Sequence, residues 1–367
     1  MSHDNHRGFF SEMRKLTFLY LLLLASLSVS AQMRSIRFDN YTIEEGLSQS
    51  SVNCIIQDDQ GFIWIGTQEG LNKFDGYSFQ VYKHDPENRN SLSNSFSKTI
   101  IQDETGIIWI GTESGGVNAF NPKTRKFTRL KGHSVLEKGQ IKSLAMDQHR
   151  NLWVGSENGG LIKFSAIDSS VTTYNRDQGL AASTINKIAI NARGDILVGS
   201  QGRGLFVLQK NRKRFVNFQN DRTNPKSIAG NFVNDIFQDA KSRTWVATDA
   251  GISLFNGNEF KNYGVEQGLS SSNVRVVFSD SSGLVWCGYE GGGLDEVNYK
   301  NGILNVTNFT KNDFDRNSLI NPIVYTMLED NSGSIWVGTN GGISKFDPVK
   351  QAFDHIKSDF GDQGLLD

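Results

Sequence analysis

The sequence predicts an all-β fold: a seven-bladed β-propeller of four-stranded antiparallel blades, closed by an N-terminal outer strand. Three observations predict it. One unit, seen first at Asp58 to Phe74, recurs with Trp64, Trp109, Trp153, Leu197, Trp245, Trp286 and Trp336 as anchors. The intervals between anchors are 45, 44, 44, 48, 41 and 50 residues. Four strands of roughly 5–6 residues and four turns need about 45 residues, the period of a propeller blade. Finally, the chain carries eight candidates for seven outer strands.

In the first unit, Asp58 and Gly61 suit a tight turn, because an Asx side chain closes it and Gly permits positive φ. Phe62 to Gly66 is short, aromatic and β-branched, as a buried strand should be. Gln68-Glu69-Gly70 turns the chain, and Leu71 to Phe74 returns. Val52 to Gln57 precedes this hairpin and Phe79 to Tyr82 follows it. Helical repeats of this length would show a 3.6-residue apolar period, and these segments do not.

The turn chemistry repeats with the strands. Six residues before the anchors stand Asp58, Asp103, Asp147, Asn191, Asp239, Asp280 and Asp330. Three before, Gly recurs except at Arg150 and Ser242. Two after stand Gly66, Gly111, Gly155, Gly199, Ala247, Gly288 and Gly338, small enough for close approach of strands or blades. Most repeats open on Gly-Leu-Ser or Ser-Leu/Ile, and the third opens less clearly near Gln140-Ile141.

Six outer strands fall between consecutive repeats. Phe353 to Ile356 follows the last repeat, and Ile36 to Tyr41 precedes the first. The expectation is that Ile36 to Tyr41 completes the seventh blade and closes the ring, removing exposed sheet edges. Residues 32–352 are then the propeller. Residues 353–367 begin a further, truncated repeat, since Gln363-Gly364-Leu365 copies Gln267-Gly268-Leu269.

Residues 1–31 read as a signal peptide with an upstream extension. Arg14-Lys15 precede an apolar run from Leu16 to Val29, and Val29-Ser30-Ala31 supplies a small-residue cleavage site. The two cysteines past this point, Cys54 and Cys287, belong to non-adjacent repeats, which predicts free buried thiols. Charged residues are 21% with net charge −1, so no basic field points to nucleic acid.

No motif for catalysis, phosphate binding or metal stands out. His84, His133, His149 and His355 occupy unrelated repeat positions, and no cofactor or metal is expected. One set is suggestive. Four residues after the anchors stand Gln68, Glu113, Glu157, Gln201, Asp249, Glu290 and Asn340, all carboxylates or their amides. In a propeller they share the face where blades connect. They admit two readings: a ligand-binding ring for sugar hydroxyls or a cationic partner, or side chains that cap their own turns. The insertions His84 to Asn90, Asn220 to Lys226 and Lys311 to Asn317 enter the same face.

The unit Asp-x-x-Gly-x-Ile-Trp-x-Gly-Thr-x-x-Gly-Gly-Leu/Ile-x-x-Phe, clearest at Asp103 to Phe120 and Asp330 to Phe346, resembles the two-component regulator propeller repeat. The Gly-Leu-Ser openings match it as well. The resemblance implies the periplasmic sensor region of a hybrid two-component histidine kinase, in a family associated with carbohydrate sensing. The kinase modules are not in this chain, and the chain itself is expected to be non-catalytic. Expected partners are an oligosaccharide or other small ligand and a second copy in a homodimer. Membrane attachment is expected only through segments outside this chain. The alternatives are a platform for protein interaction or dimerisation, and a propeller lyase or glycosidase using Glu113, Glu157, Asp249 or Glu290.

Overall fold

The first blade shows how the repeat builds itself. In the computed structural model, which describes residues 36–348, β1 (Asp39–Tyr41) precedes the blade strands β2 (Val52–Gln57), β3 (Ile63–Thr67), β4 (Gly70–Phe74) and β5 (Phe79–Tyr82). Between β2 and β3, Asp58 Oδ1 accepts from Gln60 N at 3.0 Å and Phe62 N at 2.9 Å, closing the turn. The chain needs a left-handed residue three before the anchor. Where glycine is missing there, Arg150 and Ser242 still adopt φ of 59°.

The aspartate does a second job that turn chemistry alone does not predict. Its other oxygen accepts the anchor indole N–H, at 2.7 Å for Trp64 and 2.7–3.0 Å in the other five Trp blades. The fourth blade lacks the indole, and there Asn191 Nδ2 bonds Asp195 Oδ2 at 2.9 Å instead. Each staple holds an indole in the seam between blades. Trp64 sits 5.8 Å from Tyr82 of its own blade and 5.5 Å from Phe120 of the next. The small residue two after the anchor lets the blades meet: a Cβ at Gly111 would lie 2.5 Å from Ile141 Cγ2 of the third blade.

Seven sheets of four antiparallel strands result, each in chain order from the channel outward except the last. In the last, β1 takes the outer place, with Asp39 opposite Lys345, Asn40 opposite Ser344 and Tyr41 opposite Ile343. The ring is thus closed by the N-terminal strand, as expected. Tyr41 stacks on Trp336 at 5.7 Å and meets Phe74 of the first blade edge-on at 5.5 Å, so one side chain joins both ends of the ring. The alternative strand, Phe353 to Ile356, lies outside the described residues, as do the segments expected to form a signal peptide and a further repeat. The third blade differs from expectation in its entry, where a short helix (Ser134–Lys138), capped by His133, buries Leu136.

Cys54 and Cys287 are free and lie in the first and sixth blades. Burial pushes the Cys54 thiol up to about 12 and Cys287 well above its ordinary value. Among the described residues no helix is long and apolar enough to cross a membrane.

The staples make stability pH-dependent. Burial alone would raise the carboxyls of Asp103, Asp147, Asp239 and Asp330. Hydrogen bonds from the indoles, turn amides and neighbouring side chains outweigh it and hold them below the usual aspartate value. A depressed folded pKa contributes stability that is complete above the unfolded value, about 3.9, and is lost as pH falls through the folded one. Urea midpoints are therefore expected to be flat from pH 7 to 5 and to fall steeply below about 4. A midpoint unchanged at pH 3 would show that the staples do not couple to proton uptake.

Candidate functional site

The face carrying the blade connections holds a basin over the central channel. Its floor comes from a local irregularity. Every inner strand shifts register at its second residue, leaving one extra residue there: Asn53, Lys98, Lys142, Asn186, Asn234, Arg275 and Tyr325. A β-bulge re-aims a side chain. All seven line one cavity of about 550 Å³, together with Gln201, Phe232, Asp249, Asn273 and Glu290.

Each blade also carries one member of the ring of acids and amides. Each ring residue lies 15 positions after the bulge residue of its own blade, from Asn53 and Gln68 to Tyr325 and Asn340. The backbone supports the ring in at least five blades. Glu113 N, for example, donates to Phe96 O at 3.0 Å and Asn340 N to Ile323 O at 3.1 Å. Their turns are closed by the preceding residue. Thr67, Thr112, Thr248 and Thr339 hydroxyls accept turn N–H groups at 3.0–3.1 Å and donate to a glycine carbonyl across the turn. The ring side chains are left for other contacts.

Where the floor residue is cationic, the ring residue is Glu, and the two pair. Lys98 Nζ lies 2.9 Å from Glu113, Lys142 Nζ 3.4 Å from Glu157, and Arg275 contacts Glu290. These acids therefore already have counter-ions within their own blades. Where the floor residue is Asn, it ties blades together. Asn53, Asn186 and Asn234 donate to the carbonyls of Ser97, Val233 and Val274 in the next blade, at 3.2, 3.1 and 2.9 Å. Arg275 lies over the Tyr325 ring at 4.5 Å. The floor is thus rigid, amide-rich and nearly charge-balanced.

The expected ring is only partly convergent. Gln201, Asp249 and Glu290 line the cavity. Glu113 and Glu157 stand behind their lysines, half-buried, while Gln68 and Asn340 are exposed and do not line it. The floor residues were missed by sequence reading, although the constant spacing of 15 before the ring was available as a signal.

The insertions are neither irregular nor loose. Asp85, Asp221 and Asn312 open three copies of one loop. In each, a serine hydroxyl (Ser91, Ser227 or Ser318) accepts the opening N–H at 2.9–3.0 Å. The carbonyls of Asn90, Lys226 and Asn317 then accept the N–H groups of Phe127, Phe260 and Phe38 at 3.1, 2.9 and 2.8 Å. Their backbones cover the open edges of outer strands, as sheet edges require.

None of the described histidines lines the basin. His84 bonds Leu92 O at 2.7 Å, His133 caps the short helix, and His149 lies on the turn before Trp153. His355 lies outside the described residues. Among the described residues no group of three or more His, Cys, Asp or Glu side chains is placed to hold a metal.

Residues 46–69, 91–114 and 318–341 match the family model described as two component regulator propeller. Histidine kinase P4 of Formosa agariphila is 43% identical over 83 residues, 22% of this chain and 6% of that protein. The extracellular domain of BT3049 from B. thetaiotaomicron, named as a hybrid two component system, superposes with a TM-score of 0.74 at 26% identity. That match covers 85% of this chain and 42% of the other. The BT4673 extracellular domain of the same organism superposes at 0.71 with 23% identity, covering 84% and 40%. Virginiamycin B lyase of Staphylococcus aureus shares the fold alone, with a TM-score of 0.63 at 11% identity over 85% and 99% of the two chains. The chain thus spans less than half of these extracellular domains and a small part of the kinase. Three of its repeats thus match the two component regulator propeller model, and the recurring Asp-Trp staples and the BT3049 likeness agree with that match.

Proposed function

We propose that the chain is the extracytoplasmic, ligand-sensing propeller of a hybrid two-component sensor, that its ligand is a carbohydrate, and that it acts without catalysis. The observation that carries this reading is the basin. Seven bulges aim seven side chains into one polar cavity whose cations already have partners and whose remaining groups are the Asp249 carboxylate, amides, a hydroxyl and aromatic rings. Such a lining presents donors and acceptors for hydroxyls, with aromatic faces for apolar C–H surfaces. It does not present an acid and base poised around one bond. The extracellular domains that this chain resembles support an extracytoplasmic place. Ligand binding would act by differential affinity for two arrangements of the sensor assembly, paired as a homodimer.

The test is calorimetry and thermal melting of the protein with a panel of oligosaccharides. Binding is expected to raise the melting temperature, with about 2.7 kcal/mol of stabilisation at a hundredfold excess over Kd. Gln201→Ala, which alters a cavity wall away from the core, is expected to weaken binding about tenfold, the worth of one hydrogen bond of about 1.4 kcal/mol. If no glycan shifts melting, the reading fails in favour of a protein-interaction platform. The fully exposed Phe314, on the tip of the third edge-covering loop, favours that second reading.

A further inference from the structure

Resting on the carbohydrate reading above, we propose that the basin selects an uncharged sugar ring, received at one corner between Phe232 and Asp249. The corner is singled out by comparing the seven blades at the position 17 residues before the ring residue. It holds Ser51, Phe96, Gln140, Thr184, Phe232, Asn273 and Ile323, so only two blades offer an aromatic ring there. In the second blade Lys98 Nζ lies over Phe96 at 4.3 Å, and Glu113 is paired with the same lysine. That corner is already filled by its own blade.

In the fifth blade it is open. Phe232 is 44% exposed although its backbone is fixed. Its carbonyl accepts Asp249 N at 3.2 Å and its N–H donates to Asp249 Oδ1 at 3.3 Å. A Cβ at Gly230 would come 2.1 Å from that oxygen, so the carboxylate occupies space that only glycine leaves. On the other side stands Gly202, where a Cβ would reach no nearer than 3.6 Å to the Phe232 ring. Gln201 and Asn273 complete the corner with neutral amides, and Asn273 Oδ1 is held by Asn234 Nδ2 at 3.4 Å.

The chemistry fits one class of ligand. A pyranose or furanose ring has an apolar C–H face to lay on Phe232, and hydroxyls that donate to the Asp249 carboxylate in charge-assisted bonds. Asp249 is the one cavity carboxylate with no cation paired to it among the described residues, whereas Lys98, Lys142 and Arg275 each have a glutamate. A uronate or sulfated ring would meet the unpaired charge of Asp249 and would have to break an existing ion pair to find a cation. A neutral ring meets neither obstacle.

Titration calorimetry of the protein against neutral gluco-, manno-, xylo- and arabino-oligosaccharides and against oligogalacturonate and oligoalginate of matched length tests this. The expected result is binding within the neutral set and at least tenfold weaker binding of every acidic oligomer. Phe232→Ala is expected to weaken neutral binding by tenfold or more, and Phe96→Ala to leave it within twofold. Asp249→Asn, nearly isosteric and exposed, is expected to weaken neutral binding and narrow the gap to the acidic set, with melting temperature confirming the fold of each variant. Acidic oligomers binding as tightly as the best neutral one, or Phe232→Ala binding unchanged, overturn the inference and leave carbohydrate sensing standing. Binding of neither class overturns both.

Discussion

A chain beginning at Leu47 is expected to lose its cooperative thermal transition. The cut removes β1, and with it the outer strand of the seventh blade. Phe38 is buried against Phe346 at 5.2 Å and Phe309 at 6.4 Å, and Tyr41 is stacked on Trp336. Losing one large buried aromatic typically costs about 3–5 kcal/mol, against a total stability of roughly 5–15 kcal/mol. The cut also removes Asn40, which donates to Arg316 O and Ser318 O at 3.1 Å and accepts from Ser344 at 2.6 Å. The strand Ile343–Phe346 is left as an open, apolar edge, a template for association. Calorimetry and light scattering are the measurements. A peptide of residues 36–46 added in trans is expected to restore the transition in part. A truncated chain that melts within a few degrees of its parent would mean that closure rests elsewhere.

The second large effect concerns the staple, where the fourth blade supplies a natural comparison. Trp64→Leu is expected to cost roughly 2–4 kcal/mol, from lost burial between two blades and from an Asp58 oxygen left without its donor. Asp58→Asn alone is expected to cost about 1–3 kcal/mol if its amide faces the indole N–H. The turn itself survives, because Asn191 performs that part with Oδ1 bonds to Arg193 N at 3.0 Å and Asp195 N at 2.9 Å. The double variant copies the Asn191/Leu197 pair. It is expected to cost less than the sum by about 1–2 kcal/mol, within the range of contacting pairs. Denaturant titration of the four proteins in the cycle measures this, and strict additivity would show that the indole bond carries no net stability.

Asp58 was readable as a turn residue because an Asx turn is local: donor and acceptor lie within four positions. Its bond to Trp64 spans six positions across a hairpin, and the paired change to Asn191 and Leu197 in the fourth blade was its only trace. The ring from Gln68 to Asn340 was readable as a position. Its division into Gln201, Asp249 and Glu290 on the cavity and the rest behind or beside it was not. That division depends on which floor residue each faces. The insertions were readable as length and polarity, but their role at strand edges depends on outer strands some 34 to 37 residues later, as with Asn90 and Phe127 or Lys226 and Phe260.

By itself the sequence determined the number of blades, the order of strands within each, the seam residues and the strand that closes the ring. All of these follow from local turn chemistry and a period of two, repeated often enough to be counted. Only the tertiary structure decided where recognition chemistry gathers. Bulges are properties of register between two strands, and convergence on an axis is a property of the closed ring. Asn53 and Arg275 become neighbours of one cavity only when the chain has come full circle.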